Sequence, residues 1–197
     1  MSGDGKRGFT LAELLTAVAI IGMLVACAMP GWMSLRRRAA VRSAAAEIRS
    51  VFHHTRSRAI AEGKHFGVRF SRSGTEWRYA IYEDGDRDGI RADDIQRGID
   101  RCVAPPRHLF QQPHLVTIGL LPYTVRDPDG DPLRPGDSPV KFNRSSLCSF
   151  TPLGKATPGT IYLTDSNGSL FAARVYGPSA KIRLLRYEPS RRKWEGR

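Results

Sequence analysis

Asp84-Gly85-Asp86-Arg87-Asp88-Gly89-Ile90 sets three carboxylates at alternate positions ahead of a glycine. That is the first half of a calcium loop of the D-x-D-x-D-G kind. Calcium takes about six to eight oxygen ligands, and alternate carboxylates around a glycine-enabled bend place them on one concave side. The twelfth position, where a bidentate glutamate belongs, is Ile95, and Asp93 and Asp94 come one or two residues early. Two readings stand. Either Asp84, Asp86 and Asp88 hold a cation, with Asp94, Asp100 or water completing the shell, or the segment is an Asp/Gly surface turn that needs no metal. Other chemistry-bearing residues point nowhere together. His53 and His54 are adjacent on a helical pattern and so diverge by about 100°, a poor pair of metal ligands. Ser145 and Ser146 lack a nucleophile-elbow context, and neither a phosphate loop nor a triad order is present. The three cysteines have no zinc spacing. These residues make no active site, and calcium is the one cofactor they leave open.

A second anomaly is Glu13, the single charge in the run from Phe9 to Met33. Inside a bilayer a carboxylate costs a few kcal/mol or more and persists only with a partner or a function. No Lys, Arg or His shares its helix face nearby, so the partner comes from elsewhere. A free amino group would serve if the chain were cut between Gly8 and Phe9, one helical turn from Glu13.

Positive charge is abundant and uneven. The 197 residues carry a net charge of +12. Residues 36–78 hold eleven basic and three acidic side chains, residues 174–197 eight and two, and residues 83–100 three and seven. Clusters of this size raise surface potentials that attract polyanions; DNA affinity would be mostly counterion release. The plainer reading is a solvated, arginine-rich surface with contacts to anionic lipid.

These residues need elements to position them. The Phe9–Met33 run is long enough, at 1.5 Å per residue, to cross a hydrocarbon core of about 30 Å. It ends in Pro30-Gly31-Trp32-Met33 rather than at a small-residue cleavage site, which suits a retained anchor. Val41, Ala45, Ile48, Phe52, Thr55 and Ala59 then step by threes and fours as one amphipathic stripe. Gly63 is a helix stop. Beyond it the pattern alternates. His65–Arg72 and Glu76–Tyr82 read as a hairpin across Ser73-Gly74; His114–Leu120, Thr160–Thr164, Ser169–Tyr176 and Ala180–Tyr187 read as further strands. The proline- and aspartate-rich stretch from Val103 to Pro139 reads as long loops around one strand. The expected fold is α+β: a long N-terminal helix, membrane-spanning then amphipathic, packed on an antiparallel β-sheet domain.

Lys6-Arg7-Gly8 followed by Phe9-Thr10-Leu11-Ala12-Glu13 resembles the class III prepilin signal of type IV pilins and type II secretion pseudopilins. The resemblance implies cleavage between Gly8 and Phe9 by prepilin peptidase and N-methylation of Phe9. It also implies a register-setting role for Glu13 in filament assembly and a helix kink at Pro30. The domains expected are a leader at 1–8, a transmembrane helix at 9–33, a periplasmic half-helix at 34–62 and a β-rich globular domain at 63–197. Phe150-Thr151-Pro152-Leu153-Gly154-Lys155-Ala156-Thr157-Pro158-Gly159-Thr160-Ile161-Tyr162-Leu163 is similar to the block typical of GspH/FimT pseudopilins, which share a pilin-like fold.

The function implied is that of a minor pseudopilin, not an enzyme. It would be a single-pass inner-membrane protein with its C-terminal domain in the periplasm, held in inner-membrane lipid before assembly. Through its N-terminal helix it would join other pseudopilins or minor pilins in a type II secretion pseudopilus or at a type IV pilus tip. The alternative is a DNA-binding minor pilin for DNA uptake in competence, because some members carry Gly-Arg-x-Arg in the last loop. Here the matching residues are Ala180-Lys181-Ile182-Arg183, with Arg186, Arg191, Arg192 and Lys193 beyond. In an oxidising periplasm a Cys102–Cys148 disulfide is permitted, although spacing says nothing of proximity; Cys27 lies in the span. One departure stands out: Arg36, Arg37, Arg38 and Arg42 follow the span, and charge counting alone would keep that side cytoplasmic.

Overall fold

The computed structural model describes residues 10–74, 76–108, 110, 115–143 and 145–196. The chain divides into two compact units, one ending at Arg37 and one beginning at Arg38. One helix, α1 (Leu11–Glu62), contributes to both.

In the first unit α1 is an exposed apolar helix. Leu11, Leu14, Leu15, Ile20, Ile21, Met23, Leu24 and Met29 are each more than half exposed, as is Trp32. A helix that is apolar on every side has no preferred core-facing stripe, which is the pattern of a membrane span. By length and composition it is able to cross a bilayer, and it continues through Pro30.

In the second unit the same helix is amphipathic. The stripe read from the sequence is the buried one: Val41, Ala45, Ile48, Phe52, Thr55 and Ala59 are all fully buried. Thr55 satisfies its hydroxyl within the helix, donating to the Val51 carbonyl at 2.8 Å. The helix stops as expected. Gly63 takes φ +66°, and the Lys64 N–H donates back to the Ala59 carbonyl at 3.2 Å, the six-to-one closure of a Schellman end.

The strands form two sheets and a ribbon, all antiparallel. β1 (Phe66–Ser73), β2 (Glu76–Glu83), β3 (Arg101–His108) and β8 (Leu147–Phe150) make a four-stranded sheet in the order β3-β2-β1-β8. β9 (Gly159–Thr164), β10 (Leu170–Tyr176), β11 (Lys181–Glu188) and β12 (Lys193–Gly196) run β12-β11-β10-β9. Two short strands, β4 (Thr117–Ile118) and β7 (Val140–Phe142), complete that sheet against β9. β5 (Val125–Arg126) and β6 (Pro132–Leu133) form the ribbon, and α2 (Ala92–Arg97) lies between β2 and β3.

The main core joins α1 to one face of each sheet. Phe52 meets Phe70 and Phe142 edge-on at 6.0 and 5.8 Å, with Phe150 at 6.0 Å. A second core lies on the other face of the six-stranded sheet, where Leu121, Val125 and Leu133 cover Tyr162, Leu170, Ala172 and Tyr187. The Trp194 indole N–H ties this cover down by donating to the Arg126 carbonyl at 2.8 Å.

The hairpin and the three later strands lie where alternation placed them, within a residue or so. The stretch from Val103 to Pro139 is more structured than its composition suggests. It holds most of β3, then β4, β5 and β6. β3 accommodates Pro105-Pro106 because it is an exposed edge strand, where a missing N–H breaks no ladder. The strand read as His114–Leu120 is only Thr117–Ile118, and His114 is outside the described residues.

Candidate functional site

At the start of α1, Thr10 and Glu13 form a capping box. The Thr10 N–H and hydroxyl both donate to Glu13 Oε2 at 2.9 Å, and the Glu13 N–H donates to Thr10 Oγ1 at 3.3 Å. Helix starts leave backbone N–H groups unpaired, and a Thr-x-x-Glu box satisfies two of them reciprocally. The signal for this cap lies in Thr10-Leu11-Ala12-Glu13 itself, and it gives Glu13 a local partner besides the amino group expected from elsewhere. Both roles are compatible, since a carboxylate has about four lone-pair sites. Gly8 and Phe9 lie outside the described residues.

The acidic loop closes on its own backbone. Asp84, only 6% exposed, accepts from the N–H groups of Asp86, Arg87 and Gly89 at 3.2, 2.8 and 2.9 Å. Asp100, 2% exposed, accepts from Gly85 and Arg91 at 3.3 and 3.0 Å. Carboxylate oxygens of Asp84, Asp86 and Asp88 lie within 4.8 Å of one another, so these three are able to share a cation. Asp88 is ion-paired to Arg91, and its carboxyl is held above its ordinary value, first by desolvation and then by Asp86. Asp94 does not join the three. It belongs to α2, is 2% exposed and pairs with Arg97 at 2.5 Å. The loop is therefore a self-capped turn in which Asp84, Asp86 and Asp88 stand close enough to share a hard cation, although Asp84 is already engaged by three backbone N–H groups and Asp88 by Arg91.

The cysteines are not bridged. Cys102 is exposed in β3 and Cys148 buried in β8, and both are free thiols. They stand on opposite edges of the four-stranded sheet, with β2 and β1 between them. Three strand spacings are about 14 Å, twice the reach of a disulfide. Burial pushes the Cys148 thiol well above its usual value, leaving it an inert core side chain.

The basic residues separate into groups. Side chains on β11 alternate faces: Ile182 and Leu184 enter the main core, so Lys181 and Arg183 point to the other face. Arg186 lies on the core-facing side and pairs with Glu188 at 3.5 Å. Arg191 pairs with Glu195 at 3.2 Å. Arg192 stands in the turn before β12 with φ +50°, and Lys193 begins that strand.

Strand pairing gives Arg183 neighbours that the sequence did not disclose. Arg183 pairs across to Arg174, Arg174 to Thr160, and Thr160 to Lys141. Lys141, Arg174 and Arg183 thus form a row on one face, with Lys181 diagonally adjacent. Two arginines directly opposed repel. The cost is eased by Tyr176, whose ring lies 5.2 and 5.8 Å from the two guanidinium carbons, and by Asp129, bonded to Arg174 at 2.8 Å. Lys141 and Arg174 were missed because their adjacency comes from non-local pairing of four strands.

Comparison with known proteins agrees with both halves of this description. The prokaryotic N-terminal methylation motif matches residues 4–28, and the type II transport protein GspH matches residues 44–179. Lys181 and the basic residues after it lie beyond the second match. Two fimbrial proteins of Pseudomonas aeruginosa are each 34% identical over 91 residues, which is 46% of this chain and 58% of theirs. The chain thus spans a little over half the length of these curated relatives. No solved structure matches it. An exposed apolar helix opened by a methylation motif, followed by a domain that matches over most of its length, leads to one conclusion: the chain belongs to the family of the type II transport protein GspH.

Proposed function

We propose that this chain is a minor pseudopilin or pilin subunit, made as a precursor and processed between Gly8 and Phe9, with Phe9 then N-methylated. Residues 9–33 anchor it in the inner membrane, with the C-terminal domain in the periplasm. Other pseudopilins or minor pilins receive it through the same helix. The observation that carries this reading is the exposed apolar half of α1, with a single acid in its first turn. That surface needs lipid before assembly and neighbouring helices after it. Glu13, already holding Thr10, keeps lone pairs for the amino group of a neighbouring subunit. The role is mechanical and interactive, and it asks no bond-making of this chain.

Coexpression with a prepilin peptidase tests the reading. The mature chain should begin at a methylated Phe9, and Gly8→Ala should block processing. A mature chain beginning elsewhere, or efficient cutting of the variant, would sink it.

The basic row supports a second reading, a DNA-binding minor pilin for DNA uptake. Lys141, Lys181 and Arg183 have no carboxylate within ion-pairing distance among the described residues. On this reading binding is salt-dependent, and Lys181→Ala with Arg183→Ala weakens it across all sequences. Gel-shift titration of the protein at several salt concentrations decides; absence of binding at low salt removes the reading.

A further inference from the structure

The apolar part of α1 ends at Leu35 and is followed at once by Arg36, Arg37 and Arg38, with Arg42 one turn later. Arg36, Arg38 and Arg42 are exposed and Arg37 is half-buried. Among the described residues, none of the four lies within ion-pairing distance of a carboxylate. At 100° per residue they project around about 240° of the helix, within a band about 9 Å tall. A stripe of arginines along a helix would suit a rod-shaped polyanion. A collar in one short band suits a charged plane that the helix crosses.

The helix supplies the depth of that plane. From Glu13 to Leu35 is about 33 Å of helix, close to the ~30 Å hydrocarbon thickness. Glu13 therefore reaches one boundary of the slab when Arg36 reaches the other. Trp32, 70% exposed, precedes the collar by one turn, at the depth where indole rings gather in the interface.

We propose that Arg36, Arg37, Arg38 and Arg42 form a collar that binds the phosphates of anionic phospholipid headgroups in the leaflet on the domain side. The proposal rests on the membrane-anchored reading above. It accounts for four arginines on the translocated side of a span that only Lys6 and Arg7 precede, against the positive-inside tendency. Anionic headgroups give these arginines a favourable destination there. The collar also opposes removal of the helix from the bilayer, so assembly has to replace its lipid contacts.

The full-length chain, reconstituted in vesicles of equal phosphatidylethanolamine and phosphatidylglycerol, provides the test. Flotation reports anchoring, and native mass spectrometry after mild detergent extraction reports the lipids retained. Phosphatidylglycerol should be retained over phosphatidylethanolamine by a factor of about 5 or more. The joint variant R36Q/R37Q/R38Q/R42Q should still float but lose the preference, and lysines at the same four positions should keep part of it. Excess inorganic phosphate should leave the retained lipid in place. Displacement by phosphate would make this a free-anion site and overturn the lipid assignment. A chain that floats without preference, or a Gln variant that keeps it, overturns the collar alone. A chain that does not float overturns the anchored reading and the collar with it.

Discussion

Asp100 is a buried carboxylate whose value to the domain lies in two backbone N–H groups, those of Gly85 and Arg91. Burial pushes its carboxyl above the ordinary value, those two N–H groups pull it back, and the charges of Asp84 and Asp94 push it up again. The folded state therefore holds this proton more tightly than the unfolded chain does. The contribution favours folding below the usual carboxylate range and is withdrawn as pH rises through the raised value. Asp100→Asn keeps an acceptor oxygen without the ionisation. Its Tm relative to the wild type should climb as pH rises from the usual carboxylate range towards neutrality, measured by thermal melts across that range. A constant difference would show that ionisation is not what burial acts on. Asp100→Ala removes both acceptors, leaves two N–H groups unpaired and should cost about 2–4 kcal/mol in denaturant unfolding.

At the scale of elements, the six-stranded sheet depends on one close approach. Gly159 begins β9 directly opposite Phe142 of β7. A Cβ built on it would stand 2.2 Å from the Lys141 carbonyl oxygen and 2.4 Å from the Phe142 ring. Neither backbone nor a fully buried ring has room to yield. Gly159→Ala should separate β7 from β9, expose Phe142 and lower stability by several kcal/mol, with loss of hydrogen-exchange protection confined at first to those strands. Protection unchanged in the variant would mean that β7 is free to shift. The same strand pairing aligns Lys141 with Arg174 and Arg183, so this variant should also weaken any polyanion binding on that face.

At the scale of the whole molecule, the two units differ in how much of their apolar surface is buried. Residues 38–197 hold every member of the main core, whereas the apolar window of α1 has no buried residue among the described ones. The fragment 38–197 should fold alone as a water-soluble domain, with a thermal midpoint within a few degrees of that of the full chain in detergent. A fragment that fails to fold, or melts far lower, would show that the apolar helix contributes to the domain's stability. The charge has the same division: residues 1–35 carry Lys6 and Arg7 against Asp4 and Glu13. The full +12 therefore belongs to the residues after the span.

Local patterns accounted for a large part of this protein. The buried stripe of α1, its glycine stop, the first hairpin and the strands of the C-terminal half were legible because each is set by periodicity or by one residue's φ preference. The Thr10–Glu13 box was equally local and equally legible. What only the tertiary structure decided are pairings between distant segments. Pro105-Pro106 argues against a strand until the segment is seen to be an edge. Cys102 and Cys148 could be taken for partners until two strands stand between them. Lys141, Arg174 and Arg183, scattered along the sequence, become one row through the order of β7, β9, β10 and β11. Spacing along a chain fixes which way a side chain points within its own element; which elements become neighbours is set by the burial of the whole core, and no single segment encodes it.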